Sequence, residues 1–457
     1  MISFDPKKPK SILDELEEKI KGYTNIVLAY SGGLDSTVLL HQLMQLREYI
    51  NGLNIRAIHV NHGLSNYANI WEFHCSQQCL EWKIPFITIK IQIDEELKKR
   101  HGIEAAARQA RYSALQNYLL KGETLLTAHH LDDQCETFFL ALKRGSGPTG
   151  LAAMPSIKVI GDNLLLRPFL NQSKKTIQYW AKKHQLRWII DDTNYHTTFD
   201  RNFLRIKILP LLISRWPYFS KVVARSAKWC ADQEKLLNIF LFKDLKKLIQ
   251  SDGSLRIDTL LNYRQEIYSY GIIRRWLTLK KSIRPSYKVI KCIWQELICS
   301  RKDAYPCVKI GNFNVRRYRQ AIYLINPIPS SLQDYVIKWD YPWYAIRLPY
   351  NLGVINLNHN NNGVVQHIRP PNKEEKVTIQ FKIKTKGKIS ILERTRGKRL
   401  LKKIWQEFAI PPWRRKQIPF IFYNEKLIAA IGVFVTQEGA PTKTKDRGKI
   451  WYLNWTQ

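Results

Sequence analysis

Two hydrophobic periods alternate along the first 215 residues. Ile26-Val27-Leu28-Ala29-Tyr30 is an uninterrupted apolar run of strand length, and Ser36–Ile50 then sets Val38, Leu39, Leu40, Leu43 and Leu46 at helical spacing. Ile55–Val60 reads as the next strand and Trp71–Trp82 as the next helix. Phe86–Ile89, Glu104–Leu120, Thr124–Ala128 and Asp132–Arg144 continue as strand, helix, strand and helix. Runs that are apolar throughout suit strands buried on both faces, and strands joined through crossover helices run parallel. The pattern predicts a doubly wound parallel α/β sheet, whose ligands bind beyond the carboxyl ends of its strands.

Beyond Trp216 the pattern changes. From Trp216 to Cys299 it is mainly helical, with Trp229, Leu236, Leu237, Ile239 and Phe240 as apolar repeats. A mixed stretch follows to Asn326–Ser331, and the Asn-rich Asn358–Gly363 reads as a loop. Val377–Ile383, Ile418–Tyr423 and Leu427–Val435 read as short strands, with Leu400–Phe408 as a helix. Three domains are expected: residues 1–215, a mainly helical 216–335, and a small α+β domain over 336–457.

Charge narrows the partners. Lys and Arg number 73 against 38 Asp and Glu, a net charge of +35. Such a field attracts polyanions, and the 14 Trp and 22 Tyr suit base stacking and cation–π contact. Nucleic acid is the expected partner. No apolar run reaches the roughly 18 residues of a membrane span, and the charged opening reads as no signal peptide. The seven cysteines, an odd number, point to free thiols and a reducing cytoplasmic setting. Cys75 and Cys79, beside His74, lack a second pair at zinc spacing and read as helical core thiols.

The sharpest chemical signal is Ser31-Gly32-Gly33-Leu34-Asp35-Ser36-Thr37, set between a strand and a helix. Glycines let a backbone turn bring N–H groups against an anion, and a helix start adds positive potential. Asp35 would repel phosphate alone, so Mg²⁺ is its natural companion. There is no Gly-Lys-Ser/Thr ending, so this is not the common P-loop. The stretch resembles the pyrophosphate loop of the N-type ATP pyrophosphatases. The resemblance implies a Rossmann-like fold, ATP bound by Ser31, Gly32, Gly33, Leu34, Asp35, Ser36 and Thr37, and cleavage between the α and β phosphates.

Further motifs follow in order. They are His59-Val60-Asn61-His62-Gly63-Leu64, Glu104–Tyr112, Thr127–Thr137, Lys143–Leu151, Asp191-Asp192-Thr193-Asn194 and Arg201-Asn202-Phe203-Leu204-Arg205. With Leu401–Glu407 and Ile410–Arg415, this series is similar to that of the tRNA(Ile)-lysidine synthetases over nearly the full length. That family adenylates C2 of cytidine 34 in the CAU anticodon of tRNA(Ile). Free L-lysine then displaces AMP to give lysidine.

The site residues can be argued individually. Asp132, Asp133 and Glu136 share a helix face, a cluster suited to Mg²⁺ or to the lysine ammonium, with Asp35 and Asp132 as the expected metal ligands. Zinc is less suited, because adjacent His129 and His130 seldom point the same way. Arg108 and Arg111, three apart, suit the charge that develops as pyrophosphate leaves. The incoming amine must lose a proton, with Asp35 or Asp132 as its acceptor. Asp35, Arg108, Arg111, Asp132 and Asp133 are therefore the expected catalytic set.

Arg201–Lys228 carries seven cations and no acid, and Phe381–Ile418 carries 13 Lys and Arg against two Glu. Arg201, Asn202, Arg205, Lys402, Lys403, Arg414 and Arg415 are the expected tRNA contacts. No protein partner is implied beyond, at most, a homodimer. The runner-up is a tRNA-thiolating relative; Cys135 stands alone in the catalytic region, without a Pro-Cys-x-x-Cys, which counts against it.

Overall fold

The computed structural model describes residues 11–456 apart from 64, 66, 192–194, 263–264, 282, 284, 302–303, 328, 359–365, 384–387, 393–396 and 442–449. The expected Asn-rich loop after Asn358, and Asp192-Thr193-Asn194, lie outside the described residues. The chain forms two compact units, Met1–Phe240 and Leu241–Gln457.

The first unit opens with α1 (Ile12–Ile20), which the strand–helix alternation does not announce. Ser11 and Asp14 cap it reciprocally, and Ile12, Leu16 and Ile20, four apart, bury one stripe. Then follow β1 (Asn25–Ala29), α2 (Leu34–Tyr49), β2 (Asn54–Asn61), α3 (Ala68–Glu81), β3 (Phe86–Lys90), α4 (Glu95–His101) and α5 (Ile103–Tyr118). β4 (Thr124–Leu126), α6 (Leu131–Lys143), α7 (Pro148–Leu151), β5 (Ile157–Ile160), β6 (Asn163–Leu166) and α8 (Lys174–Lys183) come next. α9 (Asp200–Phe203), α10 (Leu209–Arg215) and the start of α11 (Phe219–Leu248) close the unit.

The sheet order is β3-β2-β1-β4-β6-β5. Side chains of β1 alternate between two cores. Ile26 and Leu28 pack with α1 and α2 on one face, and Val27 packs with Ile58, Leu115 and Leu125 on the other. All three are essentially inaccessible, each worth about 1.5–3 kcal/mol of burial. The expected parallel sheet is present from β3 through β6, but β5 runs antiparallel to β6. The two-residue turn Gly161-Asp162 is far too short for a crossover, so it forces a hairpin. Strand order reverses between β1 and β4, which opens a crevice at their carboxyl ends.

The second unit contains β7 (Leu255–Arg256), α12 (Asp258–Asn262), α13 (Glu266–Lys281), α14 (Tyr287–Cys292), β8 (Cys307–Ile310), β9 (Phe313–Tyr318) and β10 (Ala321–Ile325). The stretch expected to be mainly helical thus also holds an antiparallel sheet, β7-β10-β9-β8. The two-residue turns Gly311-Asn312 and Arg319-Gln320 dictate it.

After these come β11 (Val336–Lys338), β12 (Ile346–Arg347), β13 (Val354–Asn358), β14 (Gln366–Ile368), β15 (Val377–Gln380), β16 (Lys388–Ile389) and β17 (Arg399–Leu400). α15 (Leu401–Glu407), α16 (Pro412–Arg415), β18 (Phe420–Tyr423), β19 (Lys426–Ala430), β20 (Phe434–Val435) and β21 (Trp451–Thr456) complete it. The strands form antiparallel sheets β11-β15-β18-β19-β20 and β12-β13-β21-β14 over a core that includes Trp339, Ile379, Phe381 and Tyr423. Among the described residues no helix is long and apolar enough to cross a membrane.

Candidate active site

The loop from β1 to α2 sits at the strand-order reversal. Gly33 occupies the N-cap of α2 and no side chain caps that end, so the first N–H groups of the helix stay open to a ligand. The loop's hydroxyls brace its own carbonyls: Ser36 Oγ donates to Gly33 O (3.0 Å) and Thr37 Oγ1 to Gly32 O (3.3 Å). Beneath them, Tyr30 bonds Gln78, and Ile189 N donates to Gly32 O at 2.9 Å.

The two glycines differ. Gly32 has φ +77°, and a Cβ there would meet Ile189 Cδ1 at 2.5 Å and Cys75 Sγ at 2.7 Å. Gly33 has φ −73°, and its Cβ would meet nothing nearer than Ser31 Oγ at 3.5 Å. Only Gly32 is demanded by the fold. Cys75 and Cys79 are fully buried, as expected of core thiols.

The second component follows β4. His130 caps α6: its Nδ1 accepts from Asp132 N (3.2 Å), while its own N–H donates to Asp133 Oδ2 (3.0 Å). Its Nε2 lies 3.7 Å from Asp35 Oδ2 and 3.6 Å from Asp133 Oδ2. This imidazole links the loop between β1 and α2 to α6. Asp35 Oδ1 is buried and has no hydrogen-bond partner among the described residues. Burial raises the Asp35 pKa and Asp133 adds to it, against His130, Lys174 and Arg205. Burial also opposes ionisation of Asp133, but His130, His129, Arg201 and Arg205 outweigh it and hold that carboxyl below its usual range. His129 is pushed down to about 3, chiefly by burial, and is a neutral ring bonded to Thr127 Oγ1 at 2.9 Å.

The expected acidic cluster divides among separate surroundings. Asp35 and Asp133 line a cavity of about 280 Å³ with Ser31, Gly33, Ser36, Trp71, Arg111, Tyr112, His129 and Asp191. Asp132 does not line it. Its Oδ1 accepts from Ser220 Oγ at 2.9 Å and its Oδ2 from Lys174 N at 3.4 Å. Glu136 is wholly buried and accepts from Arg201 Nε (2.8 Å) and Arg205 Nε (2.7 Å), while Arg205 also reaches Asp133 at 3.2 Å. Arg201 and Arg205, expected on an RNA-facing surface, thus turn inward, because a fully buried carboxylate requires counter-charge. Asn202 is buried too and donates to His196 O at 3.0 Å.

Arg108 and Arg111 do share a side of α5, at 5.2 and 5.8 Å from the Tyr112 ring. Burial depresses the Arg111 pKa, and Arg108 and Arg201 add to the effect. Burial would raise the Tyr112 phenol, but Arg108, Arg167 and Arg111 together lower it. Arg167, buried and donating to Pro155 O at 2.7 Å, belongs to no motif. Its only signal is an arginine closing the apolar run Leu164-Leu165-Leu166. Lys402 and Lys403 are exposed on α15, as is Arg414 on α16, where Arg415 donates to Ile410 O at 3.0 Å. Cys135 is fully buried, and burial pushes its thiol up to about 12, unlike a reactive sulfur carrier.

The chain matches the PP-loop domain model over residues 7–212, the TilS substrate binding domain model over 270–323 and the TilS substrate C-terminal domain model over 377–455. The tRNA(Ile)-lysidine synthase of Pectobacterium atrosepticum is 45% identical over 97% of this chain and 97% of its own. That of Serratia proteamaculans is 44% identical over 96% of this chain and 98% of its own. The solved U34-tRNA thiolase NcsA from Methanococcus maripaludis overlaps 48% of this chain and 77% of that chain, at 18% identity and a TM-score of 0.42. The PP-loop match accounts for the phosphate-loop geometry and marks an ATP-using enzyme. With identity this high across nearly the whole of both chains, the protein belongs to the tRNA(Ile)-lysidine synthase family.

Proposed function

We propose that the chain uses ATP and Mg²⁺ to join free L-lysine to C2 of cytidine 34 in the CAU anticodon of tRNA(Ile), changing the codon read from AUG to AUA. The observation that carries this reading is the cavity at the β1/β4 reversal, where the open N-terminus of α2 meets Asp35 Oδ1, unpartnered among the described residues, in a chain of this family.

In the first half-reaction the C2 oxygen attacks the α-phosphorus of ATP and pyrophosphate leaves. The N–H groups at the start of α2 face the departing phosphates, where the helix is positive. Arg111, with Arg108 behind it, stabilises the charge that develops. Asp35 would hold Mg²⁺, because a free carboxylate oxygen beside phosphates suits an ion completed by substrate oxygens. Among the described residues no group of three His, Cys, Asp or Glu side chains is placed to hold a metal. When bound, the ion neutralises phosphate charge.

In the second half-reaction the lysine ε-amine attacks C2 and AMP leaves. Asp133, held ionised, suits the incoming ammonium. Asp35, with its raised pKa, is the better proton acceptor when it does not hold the ion. Asp132, engaged by Ser220 and Lys174, is a positioning residue. Residues 1–215 carry the chemistry, and 216–335 and 336–457 place the tRNA, with Lys402, Lys403, Arg414 and Arg415 as phosphate contacts. The setting is cytoplasmic, and no partner beyond a homodimer is needed.

The test supplies purified protein with ATP, Mg²⁺, labelled lysine and a tRNA(Ile) transcript bearing CAU. Lysine incorporation matched by AMP and pyrophosphate is expected. Sulfur incorporation, or lysine-independent AMP release only, would overturn the reading.

A further inference from the structure

Trp216, Tyr218 and Trp229 expose 54%, 72% and 62% of their surface, although large aromatics are ordinarily buried. They are not core residues out of place. The same stretch of α11 buries Ser220, Val223 and Ala227 on its inner side, and Val223 packs with Leu209 and Cys135. Tyr218, Val222, Arg225 and Trp229 recur at i, i+4, i+7 and i+11, which puts them on one outer face. Lys221 and Lys228 flank that face, and no acid occurs from Arg201 to Lys228.

The aromatics are already paired with cations. Lys221 Nζ lies 6.0 Å from the Tyr218 ring centre, and the Arg225 guanidinium 5.7 Å from that of Trp229. The face is also fastened to the catalytic helix. Ser220 Oγ donates to Asp132 Oδ1 at 2.9 Å, Phe219 packs on Phe139 at 5.9 Å, and Trp216 stacks on Phe219 at 6.0 Å.

We propose that this outer face of α11, from Tyr218 just before its first residue to Trp229, with Trp216 beside it, is a stacking platform for single-stranded bases of the tRNA substrate. The inference rests on the proposed function and adds to it a sequence-tolerant grip on the loop next to the reacting base. Aromatic faces interleaved with cations suit bases and phosphates together. A second copy of the chain would set these same cations against one another, so charge complementarity selects RNA. Eleven residues of helix span about 16 Å, room for about five stacked nucleotides.

The test compares full-length Trp229→Ala, Trp229→Tyr and Arg225→Ala with the unaltered chain. Trp229→Ala is expected to raise KM for the tRNA about tenfold while kcat and the KM values for ATP and lysine hold. Trp229→Tyr restores most of the loss, because it restores a ring. Arg225→Ala lowers the slope of log affinity against log salt by about 0.7, whereas Trp229→Ala leaves that slope alone. An unchanged KM for tRNA in Trp229→Ala overturns the proposal. So does a dimer in sedimentation that Trp229→Ala dissolves without loss of tRNA affinity. If the unaltered chain makes no lysidine, the proposed function fails by itself. Direct tRNA binding, read by quenching of tryptophan fluorescence, then decides the platform separately.

Discussion

Replacing Glu136 by glutamine should destabilise the ATP-binding unit and leave the salt dependence of tRNA binding unaltered. The Glu136 carboxylate is inaccessible and accepts from Arg201 Nε at 2.8 Å, Arg205 Nε at 2.7 Å and Arg205 Nη2 at 3.0 Å. Glutamine keeps the shape but presents an NH₂ group to one guanidinium and removes the charge that both arginines face. Breaking a buried pair from one side costs about 3–5 kcal/mol. The arginine side chains keep 20% and 29% exposure, and Asp133 still lies 3.2 Å from Arg205, so part of the loss is recovered in solvent. The expected cost is about 2–3 kcal/mol, or about 5–10 °C in Tm for a unit of this size. Circular dichroism during thermal and urea unfolding measures it on the full chain. The companion variants Arg201→Ala and Arg205→Ala should lower stability while the slope of log affinity against log salt holds. Were the two arginines phosphate contacts instead, each removal would reduce that slope by about 0.7–0.9 and leave Tm nearly unchanged. That outcome, or a Glu136→Gln cost below about 0.5 kcal/mol, would refute the inward ion-pair reasoning.

Gly32→Ala should abolish pyrophosphate release and lower Tm, because a Cβ meets Ile189 and Cys75 at a left-handed φ, whereas Gly33→Ala should fold normally; equal losses of Tm would contradict this. Asp35→Asn should stop AMP formation, preserve tRNA binding and raise Tm at pH 7. The sign follows from the raised carboxyl pKa: burying the ionised form costs stability, a cost absent below the unfolded pKa and present in full once pH exceeds the folded one. A lower Tm for Asp35→Asn would mean that the carboxylate is structural. His41 is pushed down to about 4, first by burial and then by His184, and its Nδ1 accepts from Trp180 Nε1 at 3.3 Å. Its contribution is complete above pH 6.5 and is lost as pH falls towards 4, at up to about 1.4 kcal/mol per pH unit. Urea titrations of His41→Gln across that range should show a flatter pH dependence, and an unaltered slope would exclude His41 as its source.

Legibility in the sequence followed how local the determinant was. β1 to β4 and the helices between them were readable because Val27, Leu28 and Leu125 lie in runs buried on both faces, and Leu39, Leu43 and Leu46 mark one side of a helix. The phosphate loop was readable because strand, glycine turn and helix start are contiguous. The β5 hairpin was not, since four residues between turns carry too little periodicity to give a direction. The apolar repeats on α11 marked a helix correctly but not its burial: Trp229, Leu236, Ile239 and Phe240 are exposed, while Val223 and Ala227 pack inward.

The sequence by itself determined the sheet, the loop Ser31–Thr37 and the residue types gathered for ATP chemistry, because each depends on neighbours a few positions away. Only the tertiary structure decided which partners each carboxylate meets. Asp132, Asp133 and Glu136 occupy one helical turn and a half, but Ser220 arrives from 88 residues away to occupy Asp132, and Arg201 and Arg205 arrive from 65 and 69 away to neutralise Glu136. Asp133 is left beside Asp35, with one imidazole between them. Helical spacing fixes which side chains share a face. The partners that reach that face, and the charge each carboxylate can then hold, are set by distant segments meeting in a low-dielectric interior.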